Sequence, residues 1–85
     1  MDKELIKHNL QNITDLLYQQ NMQESYAQLA WLLPQMEQWI ACSEEEQQKE
    51  LTDILQSALE AMEQMDLTLL ADILQYDLLE KLEEI

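Results

Sequence analysis

The chain has no glycine and a single proline, Pro34. Hairpin strands need turn residues that tolerate positive φ, together with runs of β-branched side chains, and this sequence supplies neither. Sheet is therefore not expected. Cysteine is almost absent as well: Cys42 stands alone, so no internal disulfide forms, and the fold must be held by packing, as suits a reducing compartment. Long hydrophobic runs are missing. The longest, Leu29 to Leu33, is too short to cross a bilayer, and the start Met1-Asp2-Lys3-Glu4 lacks the basic and apolar regions of a secretory signal. The expected location is cytoplasmic, with no membrane association. Positive charge is scarce too. Four lysines and no arginine face eighteen acids, for a net charge of -14, which phosphate backbones and anionic lipid headgroups repel. Direct binding to nucleic acid is not expected.

What remains is a helical composition. Apolar residues make up 47% of the chain, too many for a disordered acidic tail, and Leu, Gln, Glu, Met and Ala all enter a helix at little cost. Residues 1–85 are long enough for one small domain with a thin core. Apolar burial at about 25 cal/mol per Å² nearly cancels an ordering cost of about 1.5 kcal/mol per residue at this size. A homodimer is one way to complete such a core. The charge is uneven, with five acids and two lysines in residues 1–42 against thirteen acids and two lysines in residues 43–85.

Periodicity divides the chain into four helices, roughly 2–20, 22–41, 44–64 and 67–84. In the first, Leu5, Ile6, Leu10, Ile13, Leu16 and Leu17 share one side, with Asp2 as N-cap and Asn21 as the left-handed stop. In the second, Met22, Tyr26, Leu29, Leu33, Met36 and Ile40 are spaced by fours and threes, as in a seam. Pro34 falls inside this helix and costs it about 3 kcal/mol. Because the seam keeps its phase across Pro34, a kink is expected there rather than a restart. Ser43-Glu44-Glu45-Glu46 reads as a capping box opening the third helix. That helix turns Leu51, Ile54, Leu55, Ala58, Leu59, Met62 and Met65 to one face. Asp66 is the N-cap expected for the fourth, whose face is Leu67, Leu70, Ala71, Leu74, Leu78, Leu82 and Ile85. An unbroken helix from Ser43 to Ile85 would run about 60 Å, more than a small domain can cover, so a break at Asp66 is expected. Short turns between helices of similar length imply an antiparallel, up-down-up-down four-helix bundle.

Catalytic parts are hard to find. Acidic bundles that hold two metal ions use Glu-x-x-His pairs, whereas His8 is the only histidine here and is expected on the solvated side. Three glutamates follow Cys42 and oppose thiolate formation, which favours a structural cysteine. No loop carries oxygen ligands at calcium-binding spacing. The expectation is a protein that is not an enzyme and needs no cofactor or metal.

Two features exceed what packing needs. Trp31 points away from the seam of the second helix, with Leu32 and Trp39 forming a lateral stripe beside it; such tryptophans either anchor interfaces or cover the joint between helices. On the fourth helix, Leu69, Ile73, Tyr76 and Leu79 make a second apolar stripe, so that this helix is apolar almost all round. Trp31, Trp39, Leu69, Ile73 and Tyr76 are the candidate protein-binding residues.

The stretches Met22-Gln23-Glu24-Ser25-Tyr26-Ala27-Gln28-Leu29 and Leu32-Leu33-Pro34-Gln35-Met36-Glu37-Gln38-Trp39, with the later Met65-Asp66-Leu67-Thr68-Leu69-Leu70-Ala71-Asp72-Ile73-Leu74-Gln75-Tyr76-Asp77-Leu78-Leu79, span about half of the chain. They resemble a group of small acidic helical proteins of unknown function from Gram-positive bacteria. Pro34 departs from that pattern, which favours a small residue there. The resemblance implies a bacterial cytoplasmic protein and assigns no site residues. The function expected from the residues is a non-enzymatic interaction module, an adapter, chaperone or antagonist, that meets a protein partner through an apolar stripe on an acidic surface. An acidic mimic of nucleic acid, blocking a basic groove, is the alternative. A metal-dependent carboxylate enzyme is a third.

Overall fold

The structure is a computed structural model and describes residues 2–84. Ile85, expected on the buried face of the last helix, lies outside the described residues. Three α-helices, α1 (Lys3–Tyr18), α2 (Met22–Ala41) and α3 (Glu45–Glu63), precede a fourth rod, α4 (67–84). This last rod is α-helical over Leu67–Asp72, π-helical over Ile73–Leu79 and α-helical again over Glu80–Glu84. No strand occurs among the described residues, and the fold is an all-α helical bundle.

Short polar side chains open three of the four helices. Asp2 accepts from the Leu5 amide at 2.9 Å, Asn21 from Glu24 at 3.2 Å and Asp66 from Leu69 at 3.1 Å, each satisfying one amide that has no partner inside its helix. Asn21 is thus a helix start, not the left-handed stop expected of it. The left-handed residues are Gln20 (φ 61°) and Met65 (φ 56°). The two turns share one hydrogen-bond scheme: Gln20 and Asn21 donate to the carbonyls of Leu17 and Leu16, and Met65 and Asp66 donate to those of Met62 and Ala61. Both are Schellman endings in which the residue after the left-handed one caps the next helix. A chain without glycine must fill these positions with larger side chains.

The α2–α3 turn is built differently, and the expected Ser43 capping box does not form. Glu44 is the N-cap residue and makes no side-chain cap bond. The Ser43 hydroxyl donates back to the Trp39 carbonyl at 3.3 Å, and the Gln48 amide spans the turn to the carbonyls of Ala41 and Ser43 at 3.0 and 2.8 Å. Ser43 therefore serves the end of α2, and Gln48 supplies the tie that Glu46 was expected to make. α2 itself does not restart at Pro34. The proline is exposed, as is Ala30, whose carbonyl has no helical donor at position 34. One residue on, the Gln35 amide donates to the Trp31 carbonyl at 3.3 Å.

Side-chain ties set the relative direction of the helices. Lys7, early in α1, lies 3.8 Å from Glu83, late in α4, while Tyr18 at the end of α1 donates to Asp72 near the start of α4 at 3.1 Å. Tyr26, early in α2, donates to the Met62 carbonyl, late in α3, at 3.1 Å. Lys81 pairs with Glu50 between α4 and the start of α3. Each of these helices runs opposite to the partner it touches. The bundle is 34 Å long and 22 × 20 Å across, and the Gln19–Asn21 and Gln64–Asp66 turns lie at the same end.

The core holds Ile6, Leu10, Ile13 and Leu17 of α1; Leu29, Leu32, Met36 and Ile40 of α2; Leu51, Leu55, Ala58 and Ala61 of α3; and Leu70, Ala71, Ile73, Leu74, Leu78, Leu79 and Leu82 of α4. Leu32, expected in a lateral stripe, is fully buried, whereas Met22 and Leu5 are exposed. The seam of α2 thus runs one column over from the one expected: Ser25, Leu29, Leu32, Met36, Ile40. Ser25 fits inside because its hydroxyl donates to the Met22 carbonyl at 3.1 Å.

The two hairpins, α1–α2 and α3–α4, can be aligned on their caps, Asn21 and Asp66. Buried positions then coincide: Leu10 with Leu55, Ile13 with Ala58, Ser25 with Leu70 and Leu29 with Leu74. Past the π segment the correspondence slips by one residue, pairing Leu32 with Leu78 and Met36 with Leu82. A π-helical stretch accommodates such a slip because its wider i→i+5 turn absorbs an extra residue without breaking the rod. With α spacing throughout, Leu79 would sit about 180° and Leu82 about 120° around the rod from Leu70. The π segment turns both back toward the core.

Candidate functional site

The expected binding residues are dispersed by the fold. Ile73 is only 8% exposed and belongs to the core, since it follows Leu70 at i+3 and shares its face by ordinary α spacing. Leu79 is buried, at 7% exposure, because the π segment before it turns it back toward the core. Trp39 is half-buried and packs on the core, covering the joint at the end of α2. Trp31 and Tyr76 are exposed at 56% and 54%. They sit on α2 and α4, which are separated around the bundle because each borders α1 and α3. They do not form one surface.

Leu69 has company that the sequence did not reveal. It is exposed at the start of α4, and Tyr18, Met22 and Met65 are exposed at the end of α1, the start of α2 and the α3–α4 turn. All four lie at the end of the bundle that holds the two Schellman turns. Met65 is the most exposed large apolar residue among the described residues, at 68%, because its left-handed backbone swings the side chain off the face of α3 on which it was expected. Tyr18 is fixed to Asp72 and Tyr26 to Met62, so one tyrosine clasps each flank of this end. Burial raises the pKa of Tyr18, with the Asp72 carboxylate adding to the effect; burial, then Asp66, raises that of Tyr26. Both phenols stay neutral donors at physiological pH.

Charge separates the two ends. Lys3 and Lys7 lie early in α1, Lys49 early in α3 and Lys81 late in α4, so every lysine is in the half of the bundle opposite the Schellman turns. Lys7 pairs with Glu4 and Glu83, and Lys81 with Glu50 and Glu84, its ammonium held above the usual pKa first by the hydrogen bond to Glu50. Around the Schellman turns stand Asp15, Glu24, Glu60, Glu63, Asp66 and Asp72, with no lysine near them in sequence. This end exposes Gln19, Gln20, Asn21 and Gln64 in its turns together with Tyr18, Met22, Met65 and Leu69, and every charged side chain around it is acidic. The missing clue was the spacing of lysines: none falls between Lys7 and Lys49 or between Lys49 and Lys81.

Two side grooves complete the surface. Between α2 and α3 a groove of about 650 Å³ has Ile40, Ala41, Leu55 and Leu59 as its apolar wall. One of about 410 Å³ between α1 and α4 is lined by Asp15, Tyr76, Leu79, Glu80 and Glu83. Among the described residues, no three His, Cys, Asp or Glu side chains are grouped to hold a metal ion, and no helix is long and apolar enough to cross a membrane. Cys42 is free and exposed beside Gln38 and Trp39. No protein-family model matches the chain, and comparison with characterised proteins and with solved structures finds no significant similarity.

Proposed function

We propose that the chain is a non-enzymatic protein-interaction module whose docking face is the Schellman end of the bundle, with Tyr18, Met22, Met65 and Leu69 as contact residues. The carrying observation is that four large apolar side chains, drawn from three helices and a turn, are all exposed at one end of the bundle, where every charged group is acidic. Exposed apolar residues scattered singly need no explanation, whereas a group of them framed by charge is a feature of binding surfaces. Methionine suits such a face because its unbranched thioether adapts to different partner shapes. Trp31 and Tyr76, midway along α2 and α4, lie outside this face.

Three immobilised proteins test the reading in a lysate of the source cell: wild type, Met65→Ser/Leu69→Ser and, as a control at the opposite end, Leu5→Ser. The double variant is expected to lose partners that the other two retain, including at raised salt, where a purely charge-driven contact weakens. Equal capture by all three, with helical content intact, contradicts the proposal. A captured set that disappears with salt alone, whatever the state of Met65 and Leu69, favours an acidic mimic of nucleic acid.

A further inference from the structure

We infer that the occupant of the Schellman end is a cationic amphipathic helix of a partner protein. The inference rests on the docking face proposed above and adds the chemistry of what fits it. The margin of the face carries Asp15, Glu24, Glu60, Glu63, Asp66 and Asp72 and no cation, while all four lysines lie in the other half of the molecule. A partner segment with lysines or arginines flanking an apolar stripe meets both features, apolar to apolar and cation to carboxylate. A second copy of this chain does not, since it would bring a like-charged margin against the first.

A helix is also favoured over an extended segment. An extended chain binds best by adding its backbone to a sheet edge, and no strand exists among the described residues to receive it. A helix satisfies its own amides and carbonyls and presents only side chains. The bundle is 22 × 20 Å in cross-section, and a helix of about 10–12 Å diameter spans that width with roughly 15 residues at 1.5 Å each.

The test uses three synthetic peptides of about 18 residues with the same leucine stripe, whose polar positions are all lysine, all glutamine or all glutamate. Each is titrated into the intact protein, its Met65→Ser/Leu69→Ser variant, its Glu24→Gln/Glu63→Gln variant and the Leu5→Ser control. The lysine peptide is expected to bind wild type and Leu5→Ser alike, and about tenfold or more weakly to each double variant. The glutamine peptide should bind wild type at least about tenfold more weakly than the lysine peptide, and the glutamate peptide not measurably. Equal binding of the lysine and glutamine peptides, lost in Met65→Ser/Leu69→Ser, overturns the cationic partner but leaves the docking face standing. Lysine-peptide binding that ignores Met65→Ser/Leu69→Ser and falls only in the Glu variant overturns the docking face itself, as does absence of binding by all three peptides. Light scattering that shows a dimer without peptide, abolished by Met65→Ser/Leu69→Ser, overturns the inference in favour of a second copy. Wild type that binds phosphatidylcholine vesicles in preference to the lysine peptide overturns it in favour of a lipid surface.

Discussion

Deleting Asp77 should leave the bundle folded, although the deletion falls in the middle of a buried helix. Asp77 is exposed and lies in the π segment Ile73–Leu79. Without it the remaining residues can close as an α-helix, and Leu70, Ile73, Leu74, Leu78, Leu79 and Leu82 then follow one another at i, i+3, i+4, i+7, i+8 and i+11, a single apolar face. Wild-type sequence forced into α geometry would turn Leu79 and Leu82 away from the core, at roughly 1.5–3 kcal/mol each. The deletion incurs neither loss and relieves the wide π turn. The expected change is within about 1 kcal/mol, a shift of about 4–8 °C or less in melting temperature for a domain of this size. Deleting Asp53 from α3 is the contrasting case. It is also exposed, but it lies in regular α-helix, so its loss rotates Leu55, Ala58 and Ala61 by about 100° relative to Leu51. That displacement should cost more than about 3 kcal/mol, a large share of the 5–15 kcal/mol that holds a typical domain together. Thermal unfolding followed by circular dichroism separates the two. If removing Asp77 is as damaging as removing Asp53, the π segment is not a one-residue insertion in an otherwise matched pair of hairpins.

The left-handed positions give a second prediction: Gln20→Gly and Met65→Gly should each raise stability, by up to about 1 kcal/mol, since glycine carries no Cβ to clash there, and unchanged or lower melting temperatures would count against the turn geometry. Replacing the caps is expected to do the reverse, with Asn21→Ala and Asp66→Ala each costing about 1 kcal/mol in urea unfolding, while Ser43→Ala, which removes no N-cap bond, costs less than either. Alkaline pH should destabilise the fold. Tyr18, Tyr26 and Lys81 all have folded-state pKa values above their ordinary ones of 10.0, 10.0 and 10.5, so the folded state holds protons that the unfolded state releases first. Their contribution is complete below about pH 10 and is lost as pH rises through the folded values; a melting temperature that stays flat from pH 9 to about 11 refutes those contacts.

The sequence carried the helices well and the faces less well. Periodic leucines and the caps Asp2 and Asp66 located four helices to within a few residues, because caps and apolar spacing act locally. Asn21 was assigned the wrong role because asparagine suits both a left-handed stop and an N-cap, and only the neighbouring Gln20, an unremarkable residue in isolation, shows which applies. Ser43 had a capping box available to it, but the tighter end of α2 and the reach of Gln48 over the turn took its place. Leu32 and Met22 exchanged roles because two adjacent columns of α2 are both apolar, and the choice between them is made by α1 and α3. The π segment is illegible by α spacing, and it is what makes Leu79 a core residue rather than a surface one; Ile73, at i+3 from Leu70, lies at the border of the core face and reads either way. The candidate site was hidden for a simpler reason: Tyr18, Met22, Met65 and Leu69 belong to different segments, and only the two Schellman turns at one end bring them together.

Methionine methyl groups provide the most direct test of the docking face, since the described methionines sample both core and surface. Met22 and Met65 are exposed at the Schellman end, Met62 is half-buried beside them, and Met36 is buried farther along the bundle. In methyl-labelled protein titrated with the lysine-bearing amphipathic peptide, the NMR signals of Met22 and Met65 should move most and that of Met36 least. Signals of Met22 and Met65 that stay in place while the peptide binds would show that the partner docks elsewhere.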